Sequence, residues 1–301
     1  MLLSVVIPVY KGAKTIATLV AHLTETLSHI SFEIVLVNDG SPDNSEEVCN
    51  QLALQYSNIT FISLRRNFGE FNAVICGLNH TKGLYSVIID DDFQNPPSEI
   101  LKLLDKAQTE NLDVVYSFYE DKKHHFFRNF GSWIVNKMTT QLFDKPADLY
   151  LSSFKLIRKE VVHEICHYQG PYPYIDALIF RVTKNVGKVL VTHLHRAEGT
   201  SSYTPKKLIA LFMSILFGYS LLPVRVILLL GIILSFLSFL GGIFTLLGIF
   251  CLSPIFLLIA SLGGLQIIGL GIIGEYVAKG YLTQSNLPQF VIKSKHTNHA
   301  Q

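Results

Sequence analysis

Charge is what this chain of 301 residues is short of. Only 16% of it is Asp, Glu, Lys or Arg, where soluble domains carry about 25%, and from Val226 through Gly274 there is no charged residue for 49 positions. Ordinary core helices keep a polar face, so this stretch argues against a wholly soluble protein. Net charge is small as well: 25 Lys+Arg against 23 Asp+Glu leaves +2, which supplies no electrostatic reason to bind nucleic acid. The four cysteines, Cys49, Cys76, Cys166 and Cys251, show no paired spacing. That excludes a disulfide scaffold, and reduced, structural thiols are expected. The chain opens Met1-Leu2-Leu3-Ser4 and runs straight into a short apolar strand. Without a basic segment leading a long apolar one, no cleaved signal peptide is expected.

One membrane-spanning helix needs about 20 residues, so the uncharged stretch has room for two joined by a tight reversal. Cys251-Leu252-Ser253-Pro254 supplies the break, with proline suited to the first turn of the second helix. Val224–Phe250 and Pro254–Gly274 are therefore expected to span a membrane. Lys206, Lys207 and Arg225 precede the pair, Lys279, Lys293 and Lys295 follow it, and the connecting loop has no charge. Both termini and the large N-terminal half are thus expected on the cytoplasmic side of an inner or plasma membrane. Leu208–Val224 reads as an interfacial helix, with a third crossing as the alternative. The expected organisation is a catalytic domain at 1–205, a juxtamembrane helix at 206–223, a two-helix hairpin at 224–274 and a cytoplasmic tail at 275–301.

The first two hundred residues alternate strands and helices in the rhythm of an α/β sheet, which implies a ligand crevice beyond the C-terminal ends of the strands. Apolar runs at Leu3–Pro8, Glu33–Val37, Ile59–Ser63 and Leu84–Ile89 read as strands, and amphipathic stretches near Thr15–Leu27, Ser45–Gln55 and Asn72–Asn79 as helices. After the second strand comes Asn38-Asp39-Gly40-Ser41-Pro42. Asp39 is either an acceptor for a nucleobase or ribose, or an Asx turn or helix cap. The fourth strand runs into Asp90-Asp91-Asp92-Phe93-Gln94-Asn95-Pro96-Pro97. Like charges crowded at a strand end are costly, and Mg²⁺ or Mn²⁺ would offset that cost while keeping positions for substrate phosphates. Strand alternation puts Asp90 and Asp92 on one side and makes them the expected ligands.

These motifs, together with Val5-Val6-Ile7-Pro8-Val9-Tyr10 and Arg65-Arg66-Asn67-Phe68-Gly69, occur in an order that resembles glycosyltransferase family 2 and its GT-A nucleotide-sugar fold. The Gln94-Asn95-Pro96-Pro97 extension, and the paired apolar segments ending in Gly274-Glu275-Tyr276, resemble the polyisoprenyl-phosphate subgroup, which includes dolichol-phosphate mannose synthase and bactoprenol glucosyltransferases. The resemblance implies a nucleotide pocket including Pro8, Tyr10 and Asp39 with Arg66 nearby, and a metal and diphosphate site at Asp90, Asp92 and Gln94. It implies Arg128 and Arg196 as cations for the acceptor phosphate and Asp148 as a carboxylate near the acceptor; the rival roles are a solvated surface arginine for Arg128 and a helix cap for Asp148. Two departures stand out: Asp91 replaces a usual alanine, and Lys11-Gly12 replaces a frequent Asn-Glu. Ser202 stands where a lysine is usual.

The activity so implied is inverting transfer of a sugar, with a UDP-hexose such as UDP-glucose as default donor, to a polyprenyl phosphate, with Asp92 at the centre of catalysis. Transfer directly to a lipid-linked glycan and a non-catalytic nucleotide-sugar-binding subunit are the alternatives. A processive polysaccharide synthase is disfavoured, since the Gln-x-x-Arg-Trp motif is absent and the sole tryptophan, Trp133, has no such context. Small residues such as Ala260 and Gly264 in the apolar helices, and the tetramers of bacterial relatives, point to a homo-oligomer.

Overall fold

The computed structural model describes residues 1–119, 139–170, 173–192, 194, 213, 222–247, 254–285 and 288–297. The chain divides into two units, Met1–Ser202 with Pro288–Gln301, and Tyr203–Leu287.

In the first unit the chain runs β1 (Leu3–Val9), α1 (Ile16–Thr26), β2 (Phe32–Asn38), α2 (Ser45–Gln55), β3 (Ile59–Leu64), α3 (Glu70–Leu78), β4 (Tyr85–Ile88), α4 (Glu99–Thr109), β5 (Val114–Phe118), β6 (Lys155–Arg158), α5 (Lys159–Cys166), α6 (Ile175–Val182) and β7 (Val186–Leu190). Each of the four expected strands and three expected helices is present within two residues of its expected ends. The strands are continuous apolar runs because helices cover both faces of a parallel sheet: all six residues of β3 and six of the seven in β1 are buried. Gly77 lets α3 approach closely, since a Cβ there would lie 2.4 Å from Val6 Cγ1 and 3.2 Å from Val37 Cγ2.

With a last strand β8 at Ile292–Thr297, the described strands form one mixed sheet in the order β7-β5-β6-β4-β1-β2-β3-β8. β3, β2, β1 and β4 are mutually parallel, and the chain order reverses between β1 and β4, which is where open α/β sheets bind ligands. β6 runs antiparallel to both β4 and β5. The last strand pairs antiparallel with β3. Within the stretch 275–301, expected as a tail, residues Ile292–Thr297 are an edge strand of the first unit. Arg65 N–H donates to Val291 O at 2.9 Å, and Gln289 Nε2 donates to Tyr168 O and Gly170 O at 2.9 and 2.7 Å. Cys49, Cys76 and Cys166 are free thiols, each pushed up to about 12 by burial.

The second unit holds α7 (Leu222–Leu246, 25 residues) and α8 (Pro254–Gln284, 31 residues). α8 starts at the expected proline but continues ten residues past Gly274. Glu275 and Lys279, one helical turn apart, form an ion pair at 3.5 Å on this extension, so charge does not end the helix. The two helices touch, with a Cβ at Gly269 falling 3.4 Å from Ile227 Cγ2. Leu228, Leu229, Ile232, Phe236, Ile267 and Leu270 are each more than half exposed. Among the described residues no helix is long and apolar enough to cross a membrane; the side chains of 222, 234–235, 238–246, 254–258 and 260–261 lie outside that description.

Candidate active site

The sheet brings the acids and their neighbours to one edge. β1 and β4 stop pairing at Val6 and Ile88, after which only Ile89 N–H reaches back to Val6 O, at 3.1 Å. Pro8 has the same parity as Val6, so its missing N–H faces the side where β4 has already peeled away, and no ladder bond is lost. The gap so opened is bordered by Tyr10 after β1, which is 46% exposed, by Asp39 after β2, and by Asp90–Asp92 after β4.

Asp39 is 4% exposed, and its two oxygens accept the backbone N–H groups of Phe68 and Gly69 at 2.7 and 2.9 Å. Burial raises its carboxyl above the usual range and these two bonds oppose the rise. Asp39 thus clamps the β3–α3 loop. Gly40 completes the clamp: its φ is +59°, and a Cβ there would stand 2.4 Å from the Arg66 carbonyl carbon. Arg66 is carried on that loop, its guanidinium 4.6 Å from the centre of the Phe68 ring.

Beyond Ile88 the aspartates leave the ladder and diverge. Asp90 Oδ2 accepts Ser153 Oγ–H at 2.8 Å. Asp92 Oδ1 accepts the Gln94 backbone N–H at 3.1 Å, and between them Phe93 takes φ 60°, a bend that bulky residues seldom adopt. Asn95 Oδ1 accepts Tyr119 O–H at 2.8 Å, which pins the far end of the loop. Asp91 turns toward Gly12. Crowding by the protein, then the charges of Asp90 and Asp92, push its carboxyl up to about 7.

Four groups at this site escaped the sequence reading. Glu70, at the start of α3, is lifted to about 7, first by the loss of water around it and then by Asp90. Glu70 is nonetheless an exposed residue. Lys155 on β6 and Asp176 on α6 form a buried ion pair, with side chains 4% and 7% exposed, and Tyr116 O–H donates to Asp176 Oδ1 at 3.0 Å. A signal existed for the pair: each is a lone charge inside an apolar run, Phe154-Lys155-Leu156-Ile157 and Ile175-Asp176-Ala177-Leu178.

Asp148 stands apart from these. Its exposed carboxylate pairs with Lys188 Nζ at 2.5 Å, and this partner holds it below the usual carboxylate range. Lys188, Tyr116, Lys155 and Ile88 are register partners along one rung across β7, β5, β6 and β4. Lys188 is therefore about 14 Å from Ile88, three strand spacings. Arg128, Arg196, Ser202, Trp133, Cys251 and 208–212 and 214–221 lie outside the described residues.

Carboxylates of this kind, set at the switch point of a nucleotide-binding type of sheet, fit hard divalent cations. Among the described residues the one group of three possible ligands with converging atoms is elsewhere, His163, Glu164 and His167 on and just after α5. A cation at the crevice would rest on the Asp90 and Asp92 pair, completed by substrate oxygens.

Residues 4–166, more than half of the chain, match the family described as glycosyl transferase family 2. The chain belongs to this family. Similar proteins include the undecaprenyl-phosphate 4-deoxy-4-formamido-L-arabinose transferases of Edwardsiella ictaluri, 29% identical over 97% of this chain and 93% of the relative, and of Yersinia pestis, 28% identical over 96% and 92%. The fold is the α/β GT-A fold of the family, with a mixed sheet. A glucosyl-3-phosphoglycerate synthase from Mycobacterium tuberculosis, solved with Mn²⁺, UDP and phosphoglyceric acid, superposes with a TM-score of 0.54 over 72% of this chain and 76% of its own, at 18% identity. The same synthase with UDP-glucose gives 0.53. For this family 2 member the match ends at Cys166, so α6 with Asp176, the edge strands β7 and β8, and both helices of the second unit lie outside it.

Proposed function

We propose that this protein transfers a sugar from a nucleotide sugar to a polyprenyl phosphate, with inversion, at a membrane surface. The observation that carries the reading is the placement of Asp90 and Asp92 just after β4, at the switch point between β1 and β4, with Asp39 at the end of β2 on the other side of β1. Relatives whose names specify undecaprenyl phosphate as acceptor, similar along nearly the whole chain, support the acceptor. Neighbours holding UDP and Mn²⁺ support the donor class and the cation.

In this reading the acceptor's phosphate oxygen attacks the anomeric carbon in line. The bond to the diphosphate breaks and its electron pair leaves with the diphosphate. The acceptor needs no strong base, because a phosphate monoester has a second pKa of about 6 and is largely dianionic at neutral pH. Asp148 accordingly serves to orient the acceptor. Mg²⁺ or Mn²⁺, when bound by Asp90 and Asp92 with Gln94 alongside, neutralises charge on the leaving diphosphate. Asp39 holds the loop that presents Arg66 to the nucleotide, and Pro8 and Tyr10 form the opposite wall. Arg128 and Arg196 are assigned to the acceptor phosphate, where guanidinium pairs bind phosphate oxygens in bidentate fashion.

The membrane setting belongs to the same proposal. Helices of 25 and 31 residues reach about 37 and 46 Å at 1.5 Å per residue, against a bilayer core of about 30 Å. Their exposed leucines and isoleucines, and the uncharged sequence from Val226 to Gly274, fit a lipid environment with both termini cytoplasmic.

The donor sugar has two candidates, glucose as the family default and the formamido-pentose named in the relatives. Membranes carrying the full-length protein, given polyprenyl phosphate, Mg²⁺ or Mn²⁺ and radiolabelled UDP sugars of both kinds, are expected to move label from one donor into organic solvent. EDTA should block this, the activity should sediment with membranes until detergent is added, and Asp92→Asn should lower transfer by about a hundredfold or more, as loss of a charge-stabilising group does, without a change in melting temperature. Near-normal turnover by Asp92→Asn would sink the metal assignment. Nucleotide binding with no labelled lipid from any donor would overturn polyprenyl phosphate as the acceptor.

A further inference from the structure

Two of the departures from the pattern that the chain resembles, Gly12 and Asp91, 79 positions apart in sequence, are in contact. A Cβ built on Gly12 would lie 2.1 Å from Asp91 Oδ2, 3.0 Å from Asp91 Cγ and 3.1 Å from Val9 Cγ1. No pair of atoms tolerates the first distance. The second involves the carboxyl carbon rather than a loose side-chain end, so the Asp91 carboxyl group fills the volume that any side chain at position 12 would need.

Backbone N–H groups of Tyr10 and of Asp91 itself act on the Asp91 carboxyl, but they do not account for Oδ2. Oδ2 is buried and has no hydrogen-bond partner, an arrangement that proteins ordinarily avoid. What it does is close one side of the segment from Tyr10 to Ala13. The other side is fixed from β2: Lys11 N–H donates to Ser41 Oγ at 3.2 Å, and Ala13 N–H to Asp43 Oδ2 at 3.4 Å. Lys11 itself is held at φ 60°, a conformation with little freedom to drift in an L-residue. Gly12 O then accepts the N–H groups of Thr15 and Ile16 at 3.1 and 3.0 Å, tying the segment into the start of α1. The segment is therefore gripped between the ends of β2 and β4, and Asp91 forms the β4 jaw.

We infer that Asp91 and Gly12 are a size-matched pair that sets the position of the Tyr10–Gly12 wall of the donor pocket. Asp91 is in this sense a positioning residue for the nucleotide, separate in role from the Asp90 and Asp92 pair. The inference rests on the donor reading above. It predicts reciprocity: a side chain added at position 12 is harmful while Asp91 keeps its carboxyl, and far less so once that carboxyl is gone and only the 3.1 Å approach to Val9 Cγ1 is left.

The test is a double-mutant cycle in the full-length protein with Gly12→Ala, Asp91→Ala and both together, reading donor KM, kcat, UDP affinity by calorimetry and melting temperature. Gly12→Ala alone is expected to raise donor KM and weaken UDP binding by about tenfold or more, since sub-ångström displacement of a binding wall is expensive, with kcat changed much less. The double variant should return to within about threefold of Asp91→Ala, which is the non-additivity expected of groups in contact. Additive losses in the double variant, or a Gly12→Ala protein with unaltered KM and UDP affinity, would overturn the pair. A fall in melting temperature with unchanged KM would also overturn the positioning role, leaving only packing. If the wild type moves no sugar onto lipid, the acceptor reading fails separately, and the same cycle in UDP affinity still decides the pair.

Discussion

Glu70 shows how a single residue can report on a site. Its carboxyl sits near pH 7 instead of its ordinary 4.5, because water is displaced around it and Asp90 lies close by. A carboxyl whose folded value is raised holds its proton more tightly when folded, so its contribution is greatest below about pH 4.5 and is lost as pH rises through about 7. Glu70→Gln should therefore melt higher than the wild type at about pH 8 in EDTA, with the gap closing toward about pH 5. Thermal melts across that range check this, and a gap independent of pH would show that Glu70 does not feel its neighbours as described. Adding Mn²⁺ should shrink the gap, because a cation at Asp90 removes much of the repulsion.

At the scale of elements, the Lys155 and Asp176 pair joins β6 to α6 beneath the crevice. Both side chains are nearly sealed from solvent, and Tyr116 from β5 adds a third element through its hydrogen bond to Asp176. Removing one partner of such a pair leaves a buried charge uncompensated, whereas replacing both with apolar groups is often tolerated. Lys155→Met should cost about 3–5 kcal/mol, and Lys155→Met with Asp176→Leu much less. Urea titration of the four proteins measures the coupling. Equal losses in the single and double variants would mean that the pair is not held as a unit.

At the scale of the whole molecule, both ends of the chain enter the same sheet, β1 at its centre and β8 at its edge. β8 covers β3, and Lys293 Nζ reaches Glu46 Oε1 on α2 at 2.9 Å. Ending the chain at residue 287 would bare the polar edge of a strand whose every side chain is buried, a template for aggregation. The truncated protein should melt lower by about 4 °C or more, the equivalent of 1–2 kcal/mol in a domain of this size, and should sediment as larger species. An unchanged melt would mean that β3 is stable as a bare edge.

The parallel half of the sheet was legible in the chain because its signals are local. Val5-Val6-Ile7 and Val35-Leu36-Val37 are apolar runs closed by polar turns, and each strand end carries its acid in plain view at Asp39 and Asp90–Asp92. What the acids do was decided in three dimensions. Asp39, open in the sequence to either a ligand or a turn, is held by Phe68 and Gly69 of a loop 29 residues on. The alternation that set Asp91 apart continued a strand that had already ended at Ile88, yet its consequence, Asp91 facing Gly12, depends on how β1 and β4 lie side by side. Glu70, Lys155 and Asp176 acquire their meaning only where α3, β6 and α6 converge, and β8 only where the end of the chain meets β3. Periodicity and strand-end chemistry reside in neighbouring residues, so the sequence alone determined the family, the parallel core and the acidic crevice. Charge pairing, steric exclusion and edge pairing act between residues far apart along the chain, and only the tertiary structure brings those within reach.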